Sequence, residues 1–330
     1  MKILFIFTGG TIGSTRCNDV ISPDRSKSYK IIDAYNRKYT IDFEYEISEP
    51  YVELSENNTG RQIKALCRCV KESVKAGYDG VIVTHGSDTL QYSAAAVGYC
   101  IGLDSIPVCL VASCAPIEDE NSNALDNLRG AVRFIEGREG RGAFAIYRNS
   151  TSDRVIAHRA TRLIGSKAYS DELSSVGECA YGEFDESYTF RKNLEYREEL
   201  DAILPFDPDA LGEYNAEALV LFSYPGMTYP KIGERVKYII FNTYHSGTLN
   251  TASDEAKAFF ETAKGRGIPI FSTGVSQGAQ YRSAVLFEEL GITPIVELSP
   301  VAAYVKLWLA CASDRDLSES VRASLSGDLF

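Results

Sequence analysis

Thr8-Gly9-Gly10-Thr11-Ile12-Gly13 and His85-Gly86-Ser87-Asp88-Thr89 decide how this chain folds, because each follows a short apolar run. Residues 3–7 (Ile-Leu-Phe-Ile-Phe) and 80–83 (Gly-Val-Ile-Val) have the near-continuous hydrophobicity of strands buried on both faces, as in a parallel sheet. In open sheets of that kind, ligands bind in the crevice beyond the carboxyl ends of the strands. Two turns rich in glycine and hydroxyls lie at that edge, one with Asp88 beside Ser87. They read as a nucleophile and its activator.

Outward from these turns, the first half alternates strand-like and helix-like segments, which implies a parallel sheet with helices on both faces. Strands are expected at 42–47, 107–112, 143–146 and 155–159, and helices at 28–38, 59–76, 89–101 and 123–136. The polar connection 14–30 is too poor in glycine for a linker and too long for a turn. A loop of that length reads as a functional lid. Residues 179–214 are polar, acidic and aromatic with little periodicity, and read as an extended linker. The alternation then restarts, with strands expected at 218–223, 238–242, 268–272 and 293–296 and helices at 253–266, 279–290 and 300–312. The expected organisation is two α/β domains, 1–178 and 215–330, the larger one first.

The 330 residues suffice for a sizeable core, and 45% hydrophobic with 24% charged residues is a globular balance. With 34 basic against 45 acidic side chains, the net charge of −11 argues against nucleic acid or an anionic membrane as partner. The eight cysteines (Cys17, Cys67, Cys69, Cys100, Cys109, Cys114, Cys179 and Cys311) form no Cys-x-x-Cys pair and no zinc-ligand spacing. They read as reduced thiols of a cytoplasmic protein, with no metal. Only five apolar residues precede Gly9-Gly10, too few for a signal peptide, and no run approaches the ~18 residues of a membrane span.

Taken alone, the first turn is equally a tight βα connection without chemistry. A dinucleotide fingerprint is spoiled by Thr8, which stands where the first required glycine belongs, so a dinucleotide-binding oxidoreductase is the most distant of the readings. No cofactor is expected. In the second turn, one of Ser87, Asp88 and Thr89 suffices to cap a helix, so three exceed that need. A Ser-His-Asp triad is not indicated: His85, two residues before Ser87 on a strand end, points away from it, and His158 and His245 have no triad context.

In this order the two turns resemble the bacterial-type L-asparaginase family, its cytoplasmic, type I-like branch, over nearly the whole chain. Thr8 to Gly13 resembles the family's first active-site signature, and His85 to Thr89 its second, usually written His-Gly-Thr-Asp-Thr. Leu54-Ser55-Glu56-Asn57 falls where the family holds the substrate's α-amino and α-carboxylate groups. Tyr244-His245-Ser246-Gly247-Thr248 resembles a second-domain segment near the inter-subunit site, and residues 299–307 the family's C-terminal helix. The resemblance implies a flavodoxin-like N-terminal domain, a smaller C-terminal α/β domain, and a homodimer or homotetramer. It implies cleavage of L-asparagine, or a related small amide, to L-aspartate and ammonia. Thr11 would be the nucleophile and Ser87 the second hydroxyl, with Asp88 on the α-ammonium. Gly10, Ser55, Glu56 and Gly86 would complete the substrate site.

Three positions depart from the family pattern. Arg159-Ala160-Thr161-Arg162 stands where the family has Arg-x-Thr-Lys, putting Arg162 at the activator position. Lysine can give up its proton when desolvated, whereas arginine stays charged, so Lys167, five residues on, is the alternative cation. Ser87 replaces the family's threonine. Ile21 replaces the lid tyrosine two residues before Pro23, with Tyr29 as a substitute. Other readings are a non-catalytic amino-acid sensor and one component of a tRNA-dependent amidotransferase. The latter calls for a partner and an additional N-terminal domain, whereas this chain starts on its first strand.

Overall fold

The computed structural model describes all residues except 11, 13, 18–19, 24–29, 168 and 276–280, and for 14–17 and 20–23 the backbone alone. Thr11 and Tyr29 therefore lie outside the described residues, as does the side chain of Ile21. In chain order the first half begins with β1 (Lys2–Phe7), the separate two-stranded pair β2 (Ser14–Cys17) and β3 (Val20–Pro23), α1 (Lys30–Tyr39), β4 (Glu44–Ser48) and α2 (Gly60–Ser73). There follow β5 (Gly80–Thr84), α3 (Leu90–Ile101), β6 (Pro107–Val111), α4 (Ala124–Glu136), β7 (Gly142–Arg148), β8 (Val155–Arg159), β9 (Gly182–Phe184) and β10 (Phe190–Lys192).

The eight-stranded sheet runs β10-β9-β8-β7-β6-β5-β1-β4. Its strands β4, β1, β5, β6 and β7 are parallel neighbours. Numbered by chain order these five run 2-1-3-4-5, the flavodoxin-like order, whose switch point lies between the first and third strands. Here that point is the gap between β1 and β5. The connection from β1 leads to α1, which packs with α4 around Ile3, Phe5 and Phe7 on one face. The connection from β5 leads to α3, which packs with α2 around Leu4, Ile6 and Val83 on the other. The two chain paths diverge and leave a crevice above the strand ends.

Two stretches differ from the sequence reading. Within 14–30, β2 and β3 pair antiparallel, Ser14 opposite Pro23 and Cys17 opposite Val20, because Thr15, Val20 and Ile21 supply β-branched residues on both sides of Asn18-Asp19. Within 179–214, β9 and β10 add antiparallel strands beyond β8. Their aromatic residues had shown no period, but Tyr181 and Phe184 are buried and stack edge-on with Phe134.

The second sheet comprises β11 (Ala218–Phe222), β12 (Tyr238–Asn242), β13 (Ile270–Thr273) and β14 (Ile292–Pro294), all parallel and in that spatial order. Its helices are α5 (Asp254–Gly265), α6 (Arg282–Val285), α7 (Pro300–Ala312) and α8 (Leu317–Arg322). Of the helix expected at 279–290, residues 281–290 are described and only the single turn α6 is helical, with 286–290 in turns. Ser299 caps α7 by accepting from the Ala302 N–H at 3.1 Å. That helix joins the two sheets: Ala303 and Leu307 face the second, while Ala302, Val305 and Leu309 face α3 and the first. The chain after α8 then runs into the interior, with Ser324 to Asp328 all buried.

Candidate functional site

Glycine lets three chain segments meet at the switch point. Gly9 and Gly10 take φ of +101° and +76°, a conformation L side chains rarely adopt. A Cβ on Gly10 would fall inside the backbone of Gly86, and one on Gly86 would lie 2.5 Å from Ser55 Oγ. Backbone bonds fix this contact: the Gly10 N–H donates to Glu53 O at 3.1 Å and the Glu53 N–H to Thr8 O at 3.0 Å. The Thr8 hydroxyl donates to Thr84 O at 2.8 Å, and the Thr89 hydroxyl to Ser55 O at 2.9 Å. Residues 8–10, 53–55 and 84–89 thus form one unit that brings Gly10, Ser55 and Gly86 together.

His85 stiffens that unit from within. It is fully buried, with Nδ1 2.8 Å from Gly86 O and Nε2 3.3 Å from Asn58 Nδ2. Burial pulls its pKa down to about 4, so the ring is neutral. Nδ1 then donates to the carbonyl and Nε2 accepts from the amide. Because a trans peptide sets C=O and N–H in opposite directions, holding Gly86 O toward His85 turns the Ser87 N–H the other way. His85 works on the backbone, and nothing makes it a base for Ser87. Asn58 carried no sequence signal beyond its place ahead of the Thr59–Gln62 capping box.

Among the described residues, several polar atoms here are buried without a partner: Ser55 Oγ, Thr84 Oγ1 and Asn58 Oδ1. Native interiors pair most such groups, so an unpaired set at one spot needs a reason. Burial raises the Tyr51 pKa, keeping it protonated. Glu56, expected beside Ser55 in the substrate clamp, is exposed on the single 3₁₀ turn Ser55–Asn57.

Ser87 is half-buried and Asp88 exposed, and both open into a cavity of about 660 Å³. Its other walls include Leu90, Tyr147, Lys167 and the stretch from Tyr169 to Leu173. The loop that carries Lys167 is pinned at both ends. Leu163 and Ser175 form an antiparallel bridge, and the Ile164 N–H donates to Ser174 O at 3.0 Å. Asn149 closes it with two bonds to the Leu173 backbone, at 3.0 and 2.9 Å.

Arg162, expected at the activator position, is held elsewhere. It is 2% exposed. Its Nε donates to Gly327 O at 2.7 Å, and its Nη2 to Arg197 O at 2.7 Å and to Leu329 O. The guanidinium carbon lies 4.5 Å from the centre of the Tyr196 ring. The side chain anchors the C-terminal tail, and Lys167 is the cation that shares a cavity with Ser87 and Asp88. Among the described residues, no group of three or more His, Cys, Asp or Glu is placed to hold a metal ion. No described helix is long and apolar enough to cross a membrane.

These features define an α/β protein with its ligand crevice at a topological switch point. Residues 2–196 match the family described as Asparaginase, N-terminal, well over half of the chain, and the chain belongs to that family. A curated relative, the D component of the glutamyl-tRNA(Gln) amidotransferase of Haloquadratum walsbyi, is 29% identical over 84% of this chain and 63% of its own length. The chain thus spans under two thirds of that relative. Among solved structures, the thermostable L-asparaginase from Thermococcus kodakarensis has the same fold, with a TM-score of 0.80 and 21% identity over 100% of this chain and 99% of that one. L-asparaginase I from Vibrio cholerae superposes with a TM-score of 0.76 at 17% identity, again over 100% and 99%.

Proposed function

We propose that this chain is an amidohydrolase that cleaves the side-chain amide of L-asparagine to L-aspartate and ammonia through a threonine acyl-enzyme. One observation carries the reading: in a chain of the asparaginase family, Ser87, Asp88 and Lys167 share a cavity beside the glycine-packed junction of Gly10, Ser55 and Gly86. Thr11, next after Gly10, is the nucleophile. Its hydroxyl attacks the amide carbon and gives up its proton, the amide nitrogen leaves as ammonia, and water cleaves the resulting ester to free aspartate and Thr11. Asp88 takes the α-ammonium. Ser55, whose hydroxyl lacks a partner, and Glu56 hold the α-carbon substituents. Ser87 supplies the second hydroxyl, and N–H groups near Gly10 and Ser87 face the developing oxyanion.

A free hydroxyl is a weak nucleophile near neutral pH and needs an activator. We assign that role to Lys167. Arg162 keeps its charge at any ordinary pH, and its Nε and Nη2 are engaged by three carbonyls. The same reading takes the chain to be a cytoplasmic homodimer or homotetramer, with domains at 1–178 and 215–330. The segment 179–214 connects them and lends β9 and β10 to the first sheet.

The test is ammonia release from L-asparagine by the purified chain, with Thr11→Ala as the blank. Turnover that disappears in the variant is expected, and turnover retained in it overturns the assignment. The name of the Haloquadratum relative favours a second reading, amide cleavage within a tRNA-dependent amidotransferase. Asparagine turnover by the chain alone, unaffected by added tRNA, supports the first reading over the second.

A further inference from the structure

The eight-stranded and four-stranded sheets end in four edge strands, and three of these are protected against pairing with another chain. β4 carries Glu44 and Glu46, β10 carries Arg191 and Lys192, and β14 is three residues long and ends in Pro294. The fourth, β11, reads Ala218-Leu219-Val220-Leu221-Phe222, with no charge and no proline. An edge of that kind invites a further strand.

The hydrogen bonds of β11 show which groups are left for one. On its inner side the Lys237 and Tyr238 N–H groups donate to Glu217 O at 2.8 and 3.3 Å, and the Ser223 N–H donates to Asn242 O at 3.0 Å. Backbone groups of a strand point alternately to its two sides, so residues 217, 219, 221 and 223 face β12. Ala218, Val220 and Phe222 then turn both N–H and C=O outward, where they have no partner among the described residues. Side chains alternate as well. Leu219 and Leu221 pack on the α5 face of the sheet, and Ala218 and Val220 on the α7 face. Phe222, in step with those two, is 67% exposed.

This spacing is self-complementary. Two such strands laid antiparallel about a twofold axis through Val220 set Val220 opposite Val220 and Ala218 opposite Phe222, each as a pair that exchanges both bonds. The three outward residues of each copy thereby close six N–H to C=O bonds. On the α7 face the smallest side chain of the strand meets the largest, so Phe222 gains cover over Ala218 of the second copy. Glu217 falls opposite Ser223, and no like charges meet.

We propose that β11 is the docking edge for a second copy of this chain, which joins the two four-stranded sheets into one of eight strands. This names the contact of the homo-oligomer taken with the proposed function, yet its test needs no turnover. An inactive chain that associates through β11 retains the contact, and an active chain that does not loses it.

Sedimentation velocity of the full chain at micromolar concentration is expected to show an even-numbered assembly. Val220→Pro removes only an outward N–H, a change that edge strands accept. It takes two of the six bonds from the pair, so the dissociation constant should rise at least about thirtyfold. Phe222→Lys, which sets a cation where cover is expected, should weaken association too. Hydrogen exchange resolved to single amides reads the edge directly. In the assembly, Ala218, Val220 and Phe222 should exchange as slowly as Leu219 and Leu221. A monomer at these concentrations overturns the proposal, as does an assembly in which 218, 220 and 222 exchange fast. Unaltered association of a folded Val220→Pro does so too. If Val220→Pro does not fold, Phe222→Lys and the exchange pattern still decide.

Discussion

Buried polar groups are handled differently at two places in the molecule, one of which pairs its charges while the other holds neutral groups without partners. Around the C-terminal tail the charges are matched, although Ser326 Oγ and Arg159 Nε have no partner among the described residues. Lys306 Nζ lies 2.6 Å from Asp328 Oδ2 with both side chains fully buried, and Tyr99 donates to the same oxygen at 2.9 Å. Arg159 pairs with Glu198 at 2.6 Å, and Arg162 holds three carbonyls. Around Gly10 and Gly86, by contrast, Ser55 Oγ, Thr84 Oγ1 and Asn58 Oδ1 have no partner among the described residues. Leaving such a group unpaired costs about 1–3 kcal/mol. The tail is built to stay closed, and the switch point is left unfinished by the chain itself, which is what a binding site requires.

The largest effect expected from that contrast is at the tail. Asp328→Ala leaves the Lys306 ammonium buried without its counter-charge, with the Ala323 carbonyl at 2.5 Å as its remaining partner. Burial already pulls its pKa below the ordinary lysine value, and Asp328 is the group that opposes this. The loss should be about 3–5 kcal/mol in a denaturant titration. A loss under ~1 kcal/mol would mean that the tail is not held closed by its matched charges.

Next in size, Lys167→Met should lower asparagine turnover by about a hundredfold or more, the scale of a lost general base, with the denaturation midpoint unchanged. Arg162→Met should do the reverse, lowering stability by about 2–3 kcal/mol through the carbonyls it abandons while the folded fraction keeps its turnover. If the two phenotypes are exchanged, the activator assignment is wrong.

Acid separates the regions by a smaller amount. His85 belongs to the switch point. His158 sits at the base of the Lys167 loop, with Nδ1 2.9 Å from Ser175 Oγ and Nε2 without a partner. Burial pulls both down to about 4, from about 6.5 in the unfolded chain. Between those values the unfolded chain binds more protons, so stability rises with pH through this window. It is fully present above about 6.5 and is lost as the pH falls toward 4, by on the order of 1.4 kcal/mol per histidine for each unit. Thermal melts of wild type and His158→Gln between pH 7.5 and 5 isolate one share. Equal slopes would remove His158 as a buried neutral ring.

Much of this arrangement was legible in the sequence, for physical reasons that also mark where reading stopped. The apolar runs before Thr8 and His85 had to be buried strands, and the glycines after them marked a close backbone approach, since no Cβ fits at Gly10 or Gly86. The helix 300–312 was bounded correctly because Ser299-Pro300 is a strong start signal. What stayed hidden depends on long-range partners. Arg162 falls at the family's activator position in sequence, but its direction is set by carbonyls at 197, 327 and 329 that no local rule connects to it. The aromatic residues of 179–192 show no period because they fill gaps at a sheet edge, beside Phe134 and Phe144.

Ser55→Ala is the smallest perturbation and the most discriminating. The hydroxyl is buried, unpaired, and close to the Gly86 backbone. Its removal takes away no bond within the protein, so stability should change by less than about 0.5 kcal/mol or improve slightly. If its partner is the substrate's α-carbon substituents, then substrate and transition state lose the same contact. KM should rise about tenfold while kcat holds. Loss of stability by more than ~1 kcal/mol with KM unchanged would make Ser55 part of the scaffold and erase the contrast with the tail. A fall in kcat at constant KM would instead move Ser55 from holding the substrate to stabilising the transition state.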